Sequence, residues 1–327
     1  MKTKIILLFV IFNANILLYP QTFSGGGGLS ITDPYLISNV ADLQELAAIV
    51  NLGYWGVTTP NWSRDKYFKL TQDITDTFRT QIGRAFATSM NGNFEGHFDG
   101  DNYKITIGLT HTAGWGAVGL FAYTNYSIIL NLIVDGYINS SSPEPAGGIV
   151  GAKTNNSLIK NCISYVNITS SGMIGGIVAT MSSNSTIESC INAGNLTHIH
   201  TGSYYYPVDI GGIAAQSAYG TINFCLNIGD LTSNQTITGG YTSSQGRYIP
   251  NHFRIGGIVA FCNNMEITNS INSGYIRSIV INDVAQCFIG GIAGYIMNSI
   301  IADCVATGVI EAPDGVNGGG IVGFIQP

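Results

Sequence analysis

Gly147-Gly148-Ile149-Val150, Gly175-Gly176-Ile177-Val178, Gly211-Gly212-Ile213-Ala214, Gly256-Gly257-Ile258-Val259, Gly290-Gly291-Ile292-Ala293 and Gly319-Gly320-Ile321-Val322 are six copies of one tetrad. Self-similarity of this kind marks stacked structural units, and it constrains the fold before any local propensity does. Measured on the second glycine, successive copies lie 28, 36, 45, 34 and 29 residues apart. The unit is therefore about 28 residues, with extra length inserted in the middle copies.

Further along each unit comes an Ile-x-x-(Cys/Ser)-apolar run: Ile159 to Ile163, Ile187 to Ile191, Ile222 to Leu226, Ile267 to Ile271 and Ile301 to Val305. Most copies then carry a glycine followed by an apolar residue: Gly194 with Leu196, Gly229 with Leu231, Gly274 with Ile276, Gly308 with Ile310. A degenerate earlier copy has Gly119-Leu120-Phe121, Leu132, Gly136 and Ile138. Each unit reads as three short strands separated by turns of Asn, Ser and Gly. No helical period intervenes, so the expected fold is all-β: a right-handed parallel β-helix with three strands per coil. Identical positions then stack about 4.8 Å apart, and the tetrad isoleucines form an inward ladder. The paired glycines mark a corner or a close backbone approach, where a Cβ would clash or φ must be positive.

Composition agrees. Only 10% of residues are charged and Gly contributes 42 of 327, so Asn, Ser, Thr and Tyr must build the surface. The net charge is -6 and no basic stretch exists, which excludes nucleic acid as a partner because phosphate neutralisation needs clustered Lys and Arg.

Met1-Lys2-Thr3-Lys4 followed by the largely apolar Ile5 to Leu18 predicts a secretory signal, too short for a membrane span. The boundaries are then a signal peptide over 1–24, an N-terminal cap with first coils over 25–110, and the repeat β-helix over 111–327. Export permits disulfides, but Cys162, Cys190, Cys225 and Cys304 share one repeat position, with Ser270 in the missing slot. Stacked neighbours have parallel Cβ vectors, so a ladder of free thiols is expected. The absence of any Cys-x-x-Cys pair speaks against zinc. In 25–110, Ser38 or Asn39 is placed to cap a helix over Ala41 to Asn51 whose Leu43, Leu46, Ala47 and Val50 share a face. Such a helix closes the exposed end of a solenoid.

The Gly147 to Gly151 element, the Asn-Cys positions, Pro34-Tyr35-Leu36-Ile37, Phe68 to Ile74 and Phe94-x-Gly96-x-Phe98-Asp99-Gly100 occur in an order that resembles the GLUG-motif proteins of bacterial surfaces. The resemblance covers about residues 30 to 327. It implies a secreted or surface β-helix associated with adhesins, with no catalytic residues to carry over and no cofactor. The last tetrad begins a coil that Pro327 leaves unfinished, so missing C-terminal sequence or a capping partner is expected.

Enzyme signals are sparse. The alternative function, a β-helical polysaccharide lyase or glycoside hydrolase, needs clustered carboxylates; the densest group is Asp99-Gly100-Asp101, with Asp73 and Glu95 as companions. Asp-Gly-Asp-Asn is equally a tight turn. His198-Ile199-His200 places two rings on one side of a strand but lacks further metal ligands. The preferred functional surface is a pair of insertions, about 198–208 and 232–254, leaving one edge on consecutive coils. They bring together Tyr204, Tyr205, Tyr206, Tyr241, Arg247, Tyr248, His252, Phe253 and Arg254. Aromatic rings beside polar groups suit a glycan or a cell-surface protein; tyrosines covering their own loop stems are the plainer reading.

Overall fold

The computed structural model describes residues 22–52, 61–84, 92–112, 116–199, 208–234, 240–242, 248–250, 252–279, 286–314 and 316–326. Nearly all of the expected signal segment lies outside these residues.

The chain winds as a parallel β-solenoid whose strands gather into sheets of 14, 12 and 6 strands, here called the first, second and third faces. One coil shows the path. Ala146–Gly147 lies on the third face, Val150–Thr154 and Leu158–Lys160 on the first, and Ile163–Ser170 on the second. The tetrad thus turns the chain from the third face to the first. Its register is unbroken: Phe121, Val150, Val178, Ala214, Val259, Ala293 and Val322 pair in sequence. Unequal intervals in the sequence leave this ladder intact because the added residues loop out elsewhere in the coil.

Close approach, not positive φ, explains the tetrad glycines. Among the described residues none of them is left-handed, but a Cβ on Gly211 would meet the Ala214 carbonyl and one on Gly212 the Gly257 carbonyl of the next coil. The left-handed turn between the first and second faces falls instead to Asn131, Asn161, Ser189, Phe224, Asn269 and Asp303, at φ between 50° and 55°. Asn and Asp tolerate this region because their short side chains bond locally.

Inside, Tyr35, Phe68, Phe98, Ile129, Ile159, Ile187, Ile222, Ile267 and Ile301 form one continuous register ladder. The stretch 25–110, which carries no tetrad, therefore continues the coil rather than departing from it. Its rungs are aromatic where later ones are isoleucine. The tetrad residues Ile149, Ile177, Ile213, Ile258 and Ile292 are fully buried. A second, polar ladder runs beside them: Asn192 Nδ2 donates to Asn227 Oδ1, and Asn227 Nδ2 to Asn272 Oδ1, each at 2.8 Å. All three are fully buried, and each also donates to the glycine carbonyl two residues on.

All six cysteines are free thiols. Cys162, Cys190 and Cys225 stack in the core, while Cys304 is half-buried. Their thiols donate to the carbonyls of Lys160, Glu188, Asn223 and Ala302. The helix spans Val40–Leu52 and buries Leu43, Leu46, Ala47 and Val50 against the solenoid core. Asn39 Oδ1 accepts from the amides of Ala41 and Asp42, and Asp42 Oδ2 accepts from the Ser38 amide. These reciprocal bonds satisfy amides that have no partner within the helix.

Candidate functional site

The second face ends at His198, Ser233 and Ser278, and the third resumes at Val208, His252 and Gln286. Loops therefore leave the same edge on three consecutive coils, one more than the two insertions expected. Tyr204, Tyr205, Tyr206 and Arg247 lie outside the described residues. Tyr241 and Tyr248 lie on opposite strands of an antiparallel hairpin, Gly240–Thr242 with Tyr248–Pro250, that belongs to none of the three faces; Tyr241 is in register with Ile249 and Tyr248 with Thr242.

His252, Phe253 and Arg254 are not loop residues. They open the strand His252–Gly256, paired on one side with Val208–Gly211 and on the other with Gln286–Gly290. Alternation along that strand turns Phe253 into the core, where it is fully buried, so it is withdrawn from any ligand. Arg254 points outward yet is only 8% exposed. Its Nε donates to Asp209 Oδ1 at 2.5 Å and its Nη2 to Asp209 Oδ2 at 2.7 Å. Gln216 Nε2 adds a bond to Asp209 Oδ2 at 2.6 Å, and the guanidinium lies 4.3 Å from the Phe261 ring centroid. The geometry is a bidentate, stacked arginine with its charge already matched, which makes it a fixed floor rather than an anion receptor. His252 stands at the rim, its pKa lowered first by burial and then by the nearby Arg254 charge, with Asp209 opposing.

Outside this floor lies an aromatic row. Phe288 meets Tyr295 at 5.1 Å and Phe324 at 4.9 Å between ring centroids, and Tyr295 stacks on Phe324 at 5.1 Å. Tyr295 also donates its hydroxyl proton to Gln326 Oε1. Sequence reasoning missed Asp209, Gln216, Phe261, Phe288, Tyr295 and Phe324. The signal was available: Asp209, Arg254 and Phe288 each precede their tetrad by two residues, and Gln216, Phe261, Tyr295 and Phe324 each follow theirs by two. Flanking positions of a repeat share a face, so these residues converge on the outer corner of the third and first faces.

The acidic candidates are engaged elsewhere. Asp99 Oδ1 accepts from the Asp101 amide and from Asn131 Nδ2. Asp101 pairs with Lys69 at 3.0 Å, and Asp73 accepts from the Lys104 amide. Glu95, almost fully buried, pairs with Arg64 at 2.6 Å and accepts from Asn125. These carboxylates tie the first coils together, and Asp101 and Asn102 form the left-handed turn itself. His198 is buried with Nε2 at 3.2 Å from the Ser171 carbonyl, and His200 lies outside the described residues. Among the described residues no group of three or more His, Cys, Asp or Glu is arranged to hold a metal ion, and no helix is long and apolar enough to cross a membrane.

Fold and edge define the class: a parallel β-solenoid, closed at one end by a helix, that carries its inserted loops along a single edge. No family model matches the chain. Over 142 residues it is 30% identical to a "Putative Gly-rich membrane protein" of Evansella cellulosilytica; the match takes in 42% of this chain and 15% of that protein's length. Among solved structures, the fold is similar to that of "a putative immunoglobulin A1 protease from Bacteroides ovatus", with a TM-score of 0.61 at 20% identity, covering 93% of this chain and 87% of that one. A second, "IgA1 Protease", aligns with a TM-score of 0.59 at 15% identity over 89% of this chain and 20% of its own. At these identities the structural likeness establishes the fold.

Proposed function

We propose that the chain is a non-catalytic, GLUG-type β-helix module of an exported or surface protein, which engages a glycan or a protein through its loop edge. The observation that carries this reading is the preorganised floor on the short third-face strands into which those loops lead. A buried Asp209–Arg254 pair, locked by Gln216 and Phe261, sits at the foot of consecutive insertions and beside a row of aromatic rings. Desolvating a charge pair is costly, and rigid rings presented next to it cost little further entropy on binding. The engaged carboxylates of the first coils support a non-catalytic role. That the alignment takes in only a fifth of the "IgA1 Protease" chain supports a module within a longer protein.

Surface plasmon resonance over immobilised immunoglobulin A1 and a glycan panel, with a parallel product assay, tests the reading. Binding without product to immunoglobulin A1 or to a glycan, in which the part carried by the loop edge is lost when Tyr204, Tyr205 and Tyr206 are all changed to alanine while the far-ultraviolet spectrum is kept, is the expected result. Product release abolished by Asp99→Asn would replace it with a glycan-cleaving enzyme, and silence in both assays would reduce the chain to a structural stalk.

A further inference from the structure

Halfway along the first face each coil makes another left-handed turn, at Tyr126, Asn155 and Asn156, Ser183 and Asn184, Tyr219, Asn264 and Asn298 in chain order. Asn suits that backbone; a bulky ring there is strained. Tyr219 nonetheless holds φ 55° with 56% of its surface exposed, so burial does not compensate its ring. Strain kept without a packing reward points to a function.

The neighbouring coils are out of step at this corner. Seven residues separate Val178 from Ser185, whereas six separate their register partners Ala214 and Gly220. Alongside lies a groove of about 570 Å³ spanning several coils and lined by Thr186, Tyr219, Thr221, Asn264, Glu266 and Asn298 among others. The lining offers hydroxyls, amides and one carboxylate, with no Lys or Arg. An anionic chain would meet Glu266 and nothing to neutralise it. An extended peptide would find the edge taken along most of the groove: Ser185–Glu188, Ala214–Asn223 and Val259–Thr268 are paired on both sides, and of the floor strands only the short Ile300–Ala302 has one side unpaired among the described residues.

We infer that this groove binds a neutral oligosaccharide lying along the solenoid axis, with Tyr219 as its stacking platform and Asn264, Asn298 and Glu266 as hydrogen-bonding partners. Sugar rings present an apolar face for an aromatic residue and hydroxyls that both donate and accept. The rise of about 4.8 Å per coil is close to the length of one pyranose unit, so successive coils meet successive sugars. Tyr126, 54% exposed at the equivalent corner, lies three coils away on the same line and supplies a second platform about 14 Å off.

This groove lies halfway along the first face, whereas the loops leave between the second and third faces, and the two readings fail separately. The test is affinity gel electrophoresis of the full chain through mannan, xylan, mixed-linkage β-glucan and polygalacturonate. Retardation is expected in at least one neutral gel and not in polygalacturonate. Tyr219→Asn supplies the residue that neighbouring coils use, so its Tm should hold or rise while affinity falls about tenfold. Glu266→Gln should also weaken binding without unfolding, and the Tyr204–Tyr206 triple variant should leave retardation unchanged. No retardation in any neutral gel, retardation in polygalacturonate alone, or undiminished retardation of Tyr219→Asn overturns the proposal.

Discussion

At the scale of single residues, the interior is held by side chains that look unremarkable in the sequence. Asn227 bonds Asn192 on one side and Asn272 on the other, and all three side chains are fully buried. Asn227→Ala should therefore cost about 2–3 kcal/mol, measured by urea denaturation, because it orphans groups on both neighbouring coils. The ladder was not legible: an isolated Asn between strands reads as a turn former, and only register shows that three of them stack inward. The glycines were more transparent, since their recurrence predicted a steric role, although the choice between corner strain and close approach needed coordinates. Gly212→Ala should cost about 3 kcal/mol, its Cβ meeting the Gly257 carbonyl and Asn227. The thiol ladder was readable from spacing alone, and the two cysteines that stand outside it, Cys262 and Cys287, carry a pH signature. Burial pushes the Cys262 thiol from 9.0 up to about 12 and Cys287 up to about 11. A folded pKa above the unfolded one means the contribution is complete below pH 9 and is lost as pH rises toward 11–12. Thermal melts should hold level up to pH 9 and decline beyond it, and Cys262→Ala should soften that decline.

Among elements, the strand His252–Gly256 separates what a sequence can say from what it cannot. Interval lengths located the loop edge correctly, but they could not show where the loop stops and the strand begins. Phe253 and Arg254 therefore looked like loop residues, whereas register with Val208–Gly211 fixes one inward and pins the other to Asp209. The only mark in the sequence of a lone Asp as the mate of an Arg on the following coil is its equal offset, two residues before the tetrad in both copies. Arg254→Met alone should cost about 3–5 kcal/mol, since it strands a buried carboxylate. The double variant Asp209→Leu/Arg254→Met should recover most of that loss, and a denaturation cycle over the four proteins measures the coupling. The helix Val40–Leu52 is a simpler element, since its cap and its apolar face both stand in the sequence. Asn39→Ala should weaken it by about 1 kcal/mol, seen as faster amide exchange in its first turn.

For the molecule as a whole, a solenoid in which each coil touches only its neighbours has a stability that is roughly a sum over coils and interfaces. Loops that leave between the second and third faces do not enter that sum, provided their strands pair with nothing in the stack. The hairpin Gly240–Thr242 with Tyr248–Pro250 meets this condition, forming a two-stranded sheet apart from the three faces. The 45-residue interval that contains it is also bridged by unbroken register, Ala214 with Val259 and Leu231 with Ile276. Replacing residues 235–250 with a short Gly-Ser linker should therefore leave the β-sheet circular dichroism signal intact and shift Tm by no more than a few degrees, since loop length costs little once the ends are fixed. The same deletion should abolish binding through the loop edge and spare the groove at Tyr219, which lies halfway along the first face, away from the corner where the loops leave. Collapse of the fold on deletion would mean that the hairpin carries structural load, and the division into a coil stack that supplies stability and an edge that supplies recognition would fail with it.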